Sequence, residues 1–202
     1  MFKNIIFDWS GVISDDISAV IQTVNKILVY YNHHPITETK YKDDLEYPMI
    51  NMWRKWKPDI DHDELTELWD KLIHESKDPV MYPGMKNLLK NLSNSRELVV
   101  YSANPIRKLL QEVDKYGIRK FFKEINGLIL EKDNQITAIM QRNGFNISET
   151  VIVGDTTDEI QAARAAGIKV VSVTWGYFTK EKLEKHNPDY IVDSVEELNQ
   201  IL

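Results

Sequence analysis

The chain contains no cysteine, which excludes a disulfide framework, thiolate metal sites and cysteine nucleophiles together. It has no apolar run near the ~18 residues a membrane helix needs. The opening stretch Met1–Phe7 meets an acid at Asp8 and is too short for the apolar part of a leader. A basic excess is also missing: 25 Lys and Arg stand against 31 Asp and Glu, a net charge of −6, so no nucleic-acid partner is expected. There is no internal repeat and no low-complexity stretch. What remains, with 43% hydrophobic and 28% charged residues, has a globular composition. The expectation is a soluble cytoplasmic protein without a membrane partner. At 202 residues it holds one main core plus an insert, since ~100–200 residues make a domain.

Five short runs read as buried strands: Asn4–Phe7, Glu97–Tyr101, Thr150–Val153, Lys169–Thr174 and Tyr190–Val192. Each is almost continuously apolar, as a parallel strand covered on both faces must be. A weaker run, Ile125–Leu130, reads as a further strand or edge. Helical spacing appears over Met85–Leu92 and Ile106–Tyr116, and Glu159–Ala166 is alanine-rich. This alternation predicts an α/β fold with a doubly wound parallel sheet.

Residues 16–80 break the alternation. Ile17–Tyr31 and Asp63–Glu75 are amphipathic, with a broken middle around Pro35, Pro48 and Pro58. A crossover needs only about a dozen residues, so this segment reads as an inserted helical unit. Tyr82-Pro83-Gly84 marks the return to the core. The expected division is a core of residues 1–15 and 81–202 and a helical cap of 16–80. The cap holds eight basic and thirteen acidic side chains, so nearly all the net charge belongs to it.

In an open parallel sheet, ligands sit at the carboxyl ends of the strands. The first strand ends in Asp8-Trp9-Ser10-Gly11, the second in Ser102-Ala103-Asn104, and the third in Gly154-Asp155-Thr156-Thr157-Asp158-Glu159. Lys132 follows the weak run. Two carboxylates at strand ends suit a hard cation such as Mg²⁺. A hydroxyl, an amide and a lysine would neutralise a phosphate. Any one of these has an ordinary reading too: an Asp after a strand is frequently a turn former, and Thr156 and Asp158 suit a helix N-terminus.

Asp8, Ser102, Lys132 and Gly154-Asp155, in that order, resemble the motifs of the haloacid dehalogenase superfamily. Glu159 to Gly167, Tyr82-Pro83-Gly84-Met85 and Pro188 to Ser194 resemble the family's helix after the fourth motif, its re-entry from a cap, and its last strand. By motif and insert, the chain is similar to the phosphoglycolate phosphatase and phosphomutase group. The resemblance implies a Rossmann-like core and a Mg²⁺-dependent hydrolase of a small phosphorylated metabolite, active as a monomer or homodimer. It implies Asp8 as the nucleophile forming an aspartyl-phosphate. Asp8, the Ser10 carbonyl and Asp155 would hold Mg²⁺, with Glu159 ordering the metal's water shell. Ser102 and Asn104 would bind phosphoryl oxygens, and Lys132 would pair with Asp8 and the phosphate.

One position departs from the family pattern. Most of its phosphatases carry a second Asp two residues after the nucleophile as general acid, and here that residue is Ser10. Losing a general acid costs about 10²–10⁴-fold in rate. Three readings stay open: Asp15, Asp16 or a cap residue substitutes; the leaving group needs no proton, as in phosphonate- or halide-cleaving relatives; or the protein is slow, or binds a phosphate or a partner without catalysis. Asp8-Trp9-Ser10-Gly11 is similar to the phosphonate-cleaving branch, which uses a cap lysine as an amine nucleophile. Lys55 and Lys57 are its candidates, and their plainer reading is a solvated face. Trp53, Trp56 and Trp69 read as cap core. His33, His34, His62, His74 and His186 have no metal-ligand spacing.

Overall fold

In the computed structural model the described residues are 1–46, 49–73, 75–127 and 132–202, and the side chains of 132–134 lie outside them too. The chain divides into two compact units, Met1–Asp15 with Met81–Leu202, and Asp16–Val80.

The first unit is built on a six-stranded sheet in the order β5-β4-β1-β6-β7-β8. Its strands are β1 (Asn4–Asp8), β4 (Glu97–Tyr101), β5 (Glu124–Asn126), β6 (Thr150–Gly154), β7 (Lys169–Val173) and β8 (Tyr190–Val192). All the ladders are parallel. The expected runs thus become strands because each can be covered on both faces, and β1 and β6 are buried along their whole length. The weak run yields the short edge strand β5, while residues 128–130 of that expectation lie outside the described residues. Two further short strands, β2 (Ser14–Asp15) and β3 (Val80–Met81), pair as a separate two-stranded sheet.

Alternation along the strands sorts the core into two layers. Ile5, Phe7, Leu98, Val100, Val151 and Val153 pack on Met85, Leu88 and Leu89 of α5 (Met85–Leu92) and on Leu109 and Val113 of α6 (Ile106–Tyr116). Leu198 of α10 (Val195–Ile201) joins the same cluster. Buried residues of α7 (Lys132–Asn143) and α8 (Thr157–Ala166), among them Ile136, Ile139, Ile160 and Ala163, cover the other face. The doubly wound parallel α/β arrangement expected from sequence is therefore present. The α7 helix is an addition to the sequence reading: its apolar stripe is narrow, and most of its residues are polar.

β1 lies between β4 and β6, so the chain first builds outward through β4 and β5, then restarts on the other side with β6. That reversal is a topological switch point, and the crevice above it is where such sheets bind ligands. Asp8 is in register with Tyr101, and Phe7 with Val153. The residues that follow these partners, Ser102 and Gly154-Asp155, therefore rise at the same edge as Asp8.

The second unit is helical: α1 (Ile17–Tyr30), α2 (Glu38–Asp44), α3 (Met49–Trp56) and α4 (His62–Ile73). Helix α1 buries Val24, Ile27 and Leu28 and packs on α4 and α2. The expected broken middle contains α2 and α3. Pro48 lies outside the described residues, while Pro35 and Pro58 fall between helices, Pro35 before the Thr37 N-cap of α2 and Pro58 after the end of α3. Proline is tolerated there because no intrahelical N–H is lost. Asn25 fixes the intervening turn, donating to the Ile36 carbonyl at 3.0 Å and accepting its N–H at 2.8 Å. Trp53 is buried and meets Trp56 edge-on at 5.3 Å.

Candidate active site

The chain leaves β1 through a tight loop. The Trp9 carbonyl accepts the N–H groups of Val12, Ile13 and Ser14, and the Gly11 N–H donates to Ser14. Gly11 has φ +77°, a conformation that side chains with a Cβ rarely adopt. A Cβ there would also strike the Asp155 carboxylate and come within 2.8 Å of the Tyr177 ring. The loop after β1 is thus laid directly against Asp155.

Asp155 is fully buried. Its Oδ2 accepts the backbone N–H of Tyr177 at 2.6 Å, which fixes the plane of the carboxylate. Gly176 closes over the same group from the other side, again with no room for a Cβ. Trp175 anchors this β7–α9 loop, where α9 is Lys180–Glu184. Its indole N–H donates to the Val12 carbonyl at 3.3 Å, and its own carbonyl accepts the Tyr82 hydroxyl at 3.3 Å. Sequence reasoning missed Gly176 and Tyr177 because both contribute backbone. A glycine soon after a strand end was the one available signal.

Ser102 is buried, and its N–H donates to the Asn126 carbonyl at 2.9 Å. Its hydroxyl accepts the Asn104 N–H at 3.0 Å. The Asn104 amide in turn donates to the Ser10 hydroxyl at 3.4 Å. The structure therefore gathers Ser10, Ser102 and Asn104 beside Asp8. Lys132 is the first residue of α7, and its side chain lies outside the described residues.

Glu159 is also fully buried. Thr156 N-caps α8, and Glu159 completes a capping box: Oε2 accepts the Thr156 N–H at 2.9 Å and the Thr156 hydroxyl at 2.6 Å. Oε1 accepts the Tyr101 hydroxyl at 3.1 Å. Both oxygens of Glu159 are thus engaged, one with Thr156 and one with Tyr101. The Asp158 N–H donates to the same Thr156 hydroxyl, which leaves Asp158 as a first-turn residue. Burial, with the charges of Glu159 and Asp8 next, holds the Tyr101 phenol protonated well above its usual range. The Asp155 charge acts in the same direction, so three carboxylates lie around one hydroxyl.

Among the described residues, no group of three or more His, Cys, Asp or Glu side chains converges as a metal cage. Mg²⁺ is commonly held by one or two carboxylates and fills its shell with water and phosphate oxygens. Asp8 and Asp155 are buried carboxylates, and glycine hydrogens face Asp155 from two sides. This donor set fits a small hard cation.

The two lysines considered as amine nucleophiles are engaged at the surface of the helical unit. Lys55 pairs with Glu46 at 2.8 Å. Lys57 pairs with Asp59 at 2.9 Å and lies over the Tyr31 ring.

The family model for haloacid dehalogenase-like hydrolases matches residues 5–173, and the chain belongs to that family. A phosphoglycolate phosphatase of Synechococcus elongatus is 25% identical over 203 residues, covering 97% of this chain and 95% of that protein. Another, from Photobacterium profundum, is 22% identical over 218 residues, covering 99% and 95%. Among solved structures, a haloacid dehalogenase-like protein of unknown function from Agrobacterium tumefaciens superposes with a TM-score of 0.85 at 20% identity, covering 100% of this chain and 97% of that one. A protein from Haemophilus somnus described as a predicted phosphoglycolate phosphatase gives 0.82 at 20% identity, covering 99% and 97%. No helix among the described residues is long and apolar enough to cross a membrane.

Proposed function

We propose that the protein is a Mg²⁺-dependent phosphatase of a small phosphorylated metabolite, with Asp8 as nucleophile and residues 16–80 as its cap. The observation that carries this reading is the meeting of Asp8, Ser102 and Asp155 at the switch point of the sheet. The relatives' names favour a phosphorylated small carboxylate such as 2-phosphoglycolate as first candidate.

In this reading a carboxylate oxygen of Asp8 attacks phosphorus. The ester P–O bond breaks, and the electron pair leaves with the alcohol oxygen. Water then attacks phosphorus of the aspartyl-phosphate, the P–O bond to Asp8 breaks with its electron pair returning to the carboxylate, and the water's proton passes to solvent as inorganic phosphate departs. Splitting one displacement into two is the gain of covalent catalysis. Asp8, the Ser10 carbonyl and Asp155 would hold the metal, which when bound supplies positive charge to the phosphoryl oxygens. Ser102 and Asn104 donate to the same oxygens, and Lys132 pairs with Asp8 and the phosphate. Glu159 and Tyr101 hold the first turn of α8 in place beside Asp155. Ser10 cannot protonate the departing alkoxide near neutral pH, so the alcohol takes its proton from water, and an aryl phosphate, whose leaving group needs little protonation, should turn over faster than 2-phosphoglycolate.

The test is phosphate release from 2-phosphoglycolate and an aryl phosphate in Mg²⁺, with Asp8→Asn as control. Turnover in the wild type and none in Asp8→Asn is expected. Undiminished release by Asp8→Asn would overturn the assignment. Inactivity of both the wild type and Ser10→Asp on the aryl phosphate would favour a phosphate- or partner-binding protein instead.

A further inference from the structure

We infer that Glu112 is a positioning residue for the Asp8 loop, clamping it from the face of the sheet opposite to Tyr101 and Glu159. This rests on the phosphatase reading above and adds a residue that the motifs do not contain. Glu112 lies on α6 between Leu109 and Val113, on the stripe that faces the sheet, and is 8% exposed. A carboxylate in such a place is costly unless its oxygens are satisfied. Its Oε2 accepts the Trp9 indole N–H at 2.6 Å and the Ser14 hydroxyl at 3.3 Å. The Ser14 oxygen lies 2.9 Å from the Tyr116 hydroxyl. With the Ser14 proton given to Glu112, Tyr116 is the donor in that pair. The Tyr116 ring stacks on Trp9 at 5.7 Å and 19°.

Trp9 follows the nucleophile directly, and Ser14 closes the loop that contains Ser10 and Gly11. One carboxylate oxygen therefore pins both ends of the segment that aims Asp8 and Ser10. An apolar side chain on α6 would fill the space without fixing either end. Charge-assisted hydrogen bonds are shorter and stronger than neutral ones, and a misplacement of about 1 Å costs about 10²-fold in rate.

The experiment compares Glu112→Ala, Glu112→Gln and Trp9→Phe with the wild type, using 4-nitrophenyl phosphate and Mg²⁺. Folded Glu112→Ala should lose about 10- to 100-fold in kcat while KM shifts less than about threefold. Glu112→Gln should stay within about threefold of wild type, because its amide oxygen can accept both donors. Trp9→Phe keeps the stack and loses the donor, so its kcat should fall about tenfold. The double variant Trp9→Phe/Glu112→Ala should be no worse than the poorer single variant, as expected of partners in one interaction. Wild-type kcat in folded Glu112→Ala, or losses that simply multiply, overturns the clamp. Should Glu112→Ala not fold, an unchanged kcat in Trp9→Phe overturns it equally.

A second readout needs no turnover: hydrogen exchange of the Trp9 indole N–H, followed by NMR. It should be slow in the wild type and Glu112→Gln, and faster by about tenfold or more in Glu112→Ala. A wild type that releases no phosphate removes the hydrolase reading. The exchange result then decides the clamp by itself, and equal exchange in Glu112→Ala and wild type overturns it.

Discussion

The Tyr101 hydroxyl donates to Oε1 of Glu159 at 3.1 Å, joining the end of β4 to the first turn of α8 across 58 residues of sequence. Tyr101 is also the register partner of Asp8. One hydroxyl thus ties the strand beside Asp8 to the helix that follows Asp155. Removing it in Tyr101→Phe leaves a buried carboxylate oxygen without that donor, which costs about 1–3 kcal/mol. Urea unfolding should show a lower midpoint with an unchanged m-value. A wild-type midpoint would show that the bond contributes nothing net.

The Asp155 carboxylate is wedged between the Gly11 and Gly176 backbones. Gly176→Ala must push the carboxylate or the loop aside. Overpacking of this kind costs about 1–3 kcal/mol in stability. The larger expected effect is on the metal: the Mg²⁺ concentration giving half-maximal phosphate release should rise by about tenfold or more, as when a residue supporting a metal ligand is altered. Titration with Mg²⁺ checks this directly, and an unchanged half-maximal concentration would remove Asp155 from the metal site.

Ser10 sits within reach of the Asn104 amide, at 3.4 Å, so a carboxylate placed there finds a donor waiting. Ser10→Asp should raise turnover of an alkyl phosphate such as 2-phosphoglycolate by about 10²-fold, the low end of what a general acid supplies. The aryl phosphate, whose leaving group needs little protonation, should gain much less. An equal gain on both substrates would mean that position 10 acts on binding rather than on the leaving group.

Much of this arrangement is legible from sequence, for a physical reason. Strands buried on both faces must be apolar throughout, so β1 and β6 announce themselves, and the acids where their runs stop mark the sheet edge. Other parts carry no such mark. Gly176 and Tyr177 work through backbone atoms, which side-chain chemistry does not reveal. Glu112 reads as one more charge on an amphipathic helix until its stripe is drawn, when it falls among Leu109, Val113 and Tyr116. Among the described residues, helix α7 has only Ile136, Ile139 and Met140 as its buried apolar stripe, too little periodicity to stand out. In the helical unit the prolines suggest a break, whereas Pro35 and Pro58 punctuate short helices whose stability comes from packing.

Alkaline pH should destabilise the protein through tyrosines that hold their protons more tightly in the folded state. Tyr41 in the helical unit is almost fully buried, and that burial, with Asp16 adding to it, raises its pKa above the usual value. Tyr31 is pushed up to about 12, chiefly by burial and then by Glu64. In the unfolded chain such groups lose their protons near pH ~10. Above that pH the unfolded state binds fewer protons than the folded one, so stability falls as pH rises, and below it the contribution is fully present. Each such tyrosine steepens the decline by up to about 1.4 kcal/mol per pH unit. Tyr41→Phe removes one ionisation, so its unfolding free energy should fall less steeply between pH ~10 and ~11 than that of the wild type. Urea midpoints measured across that interval make the comparison, and parallel declines would mean that Tyr41 titrates normally in the folded protein.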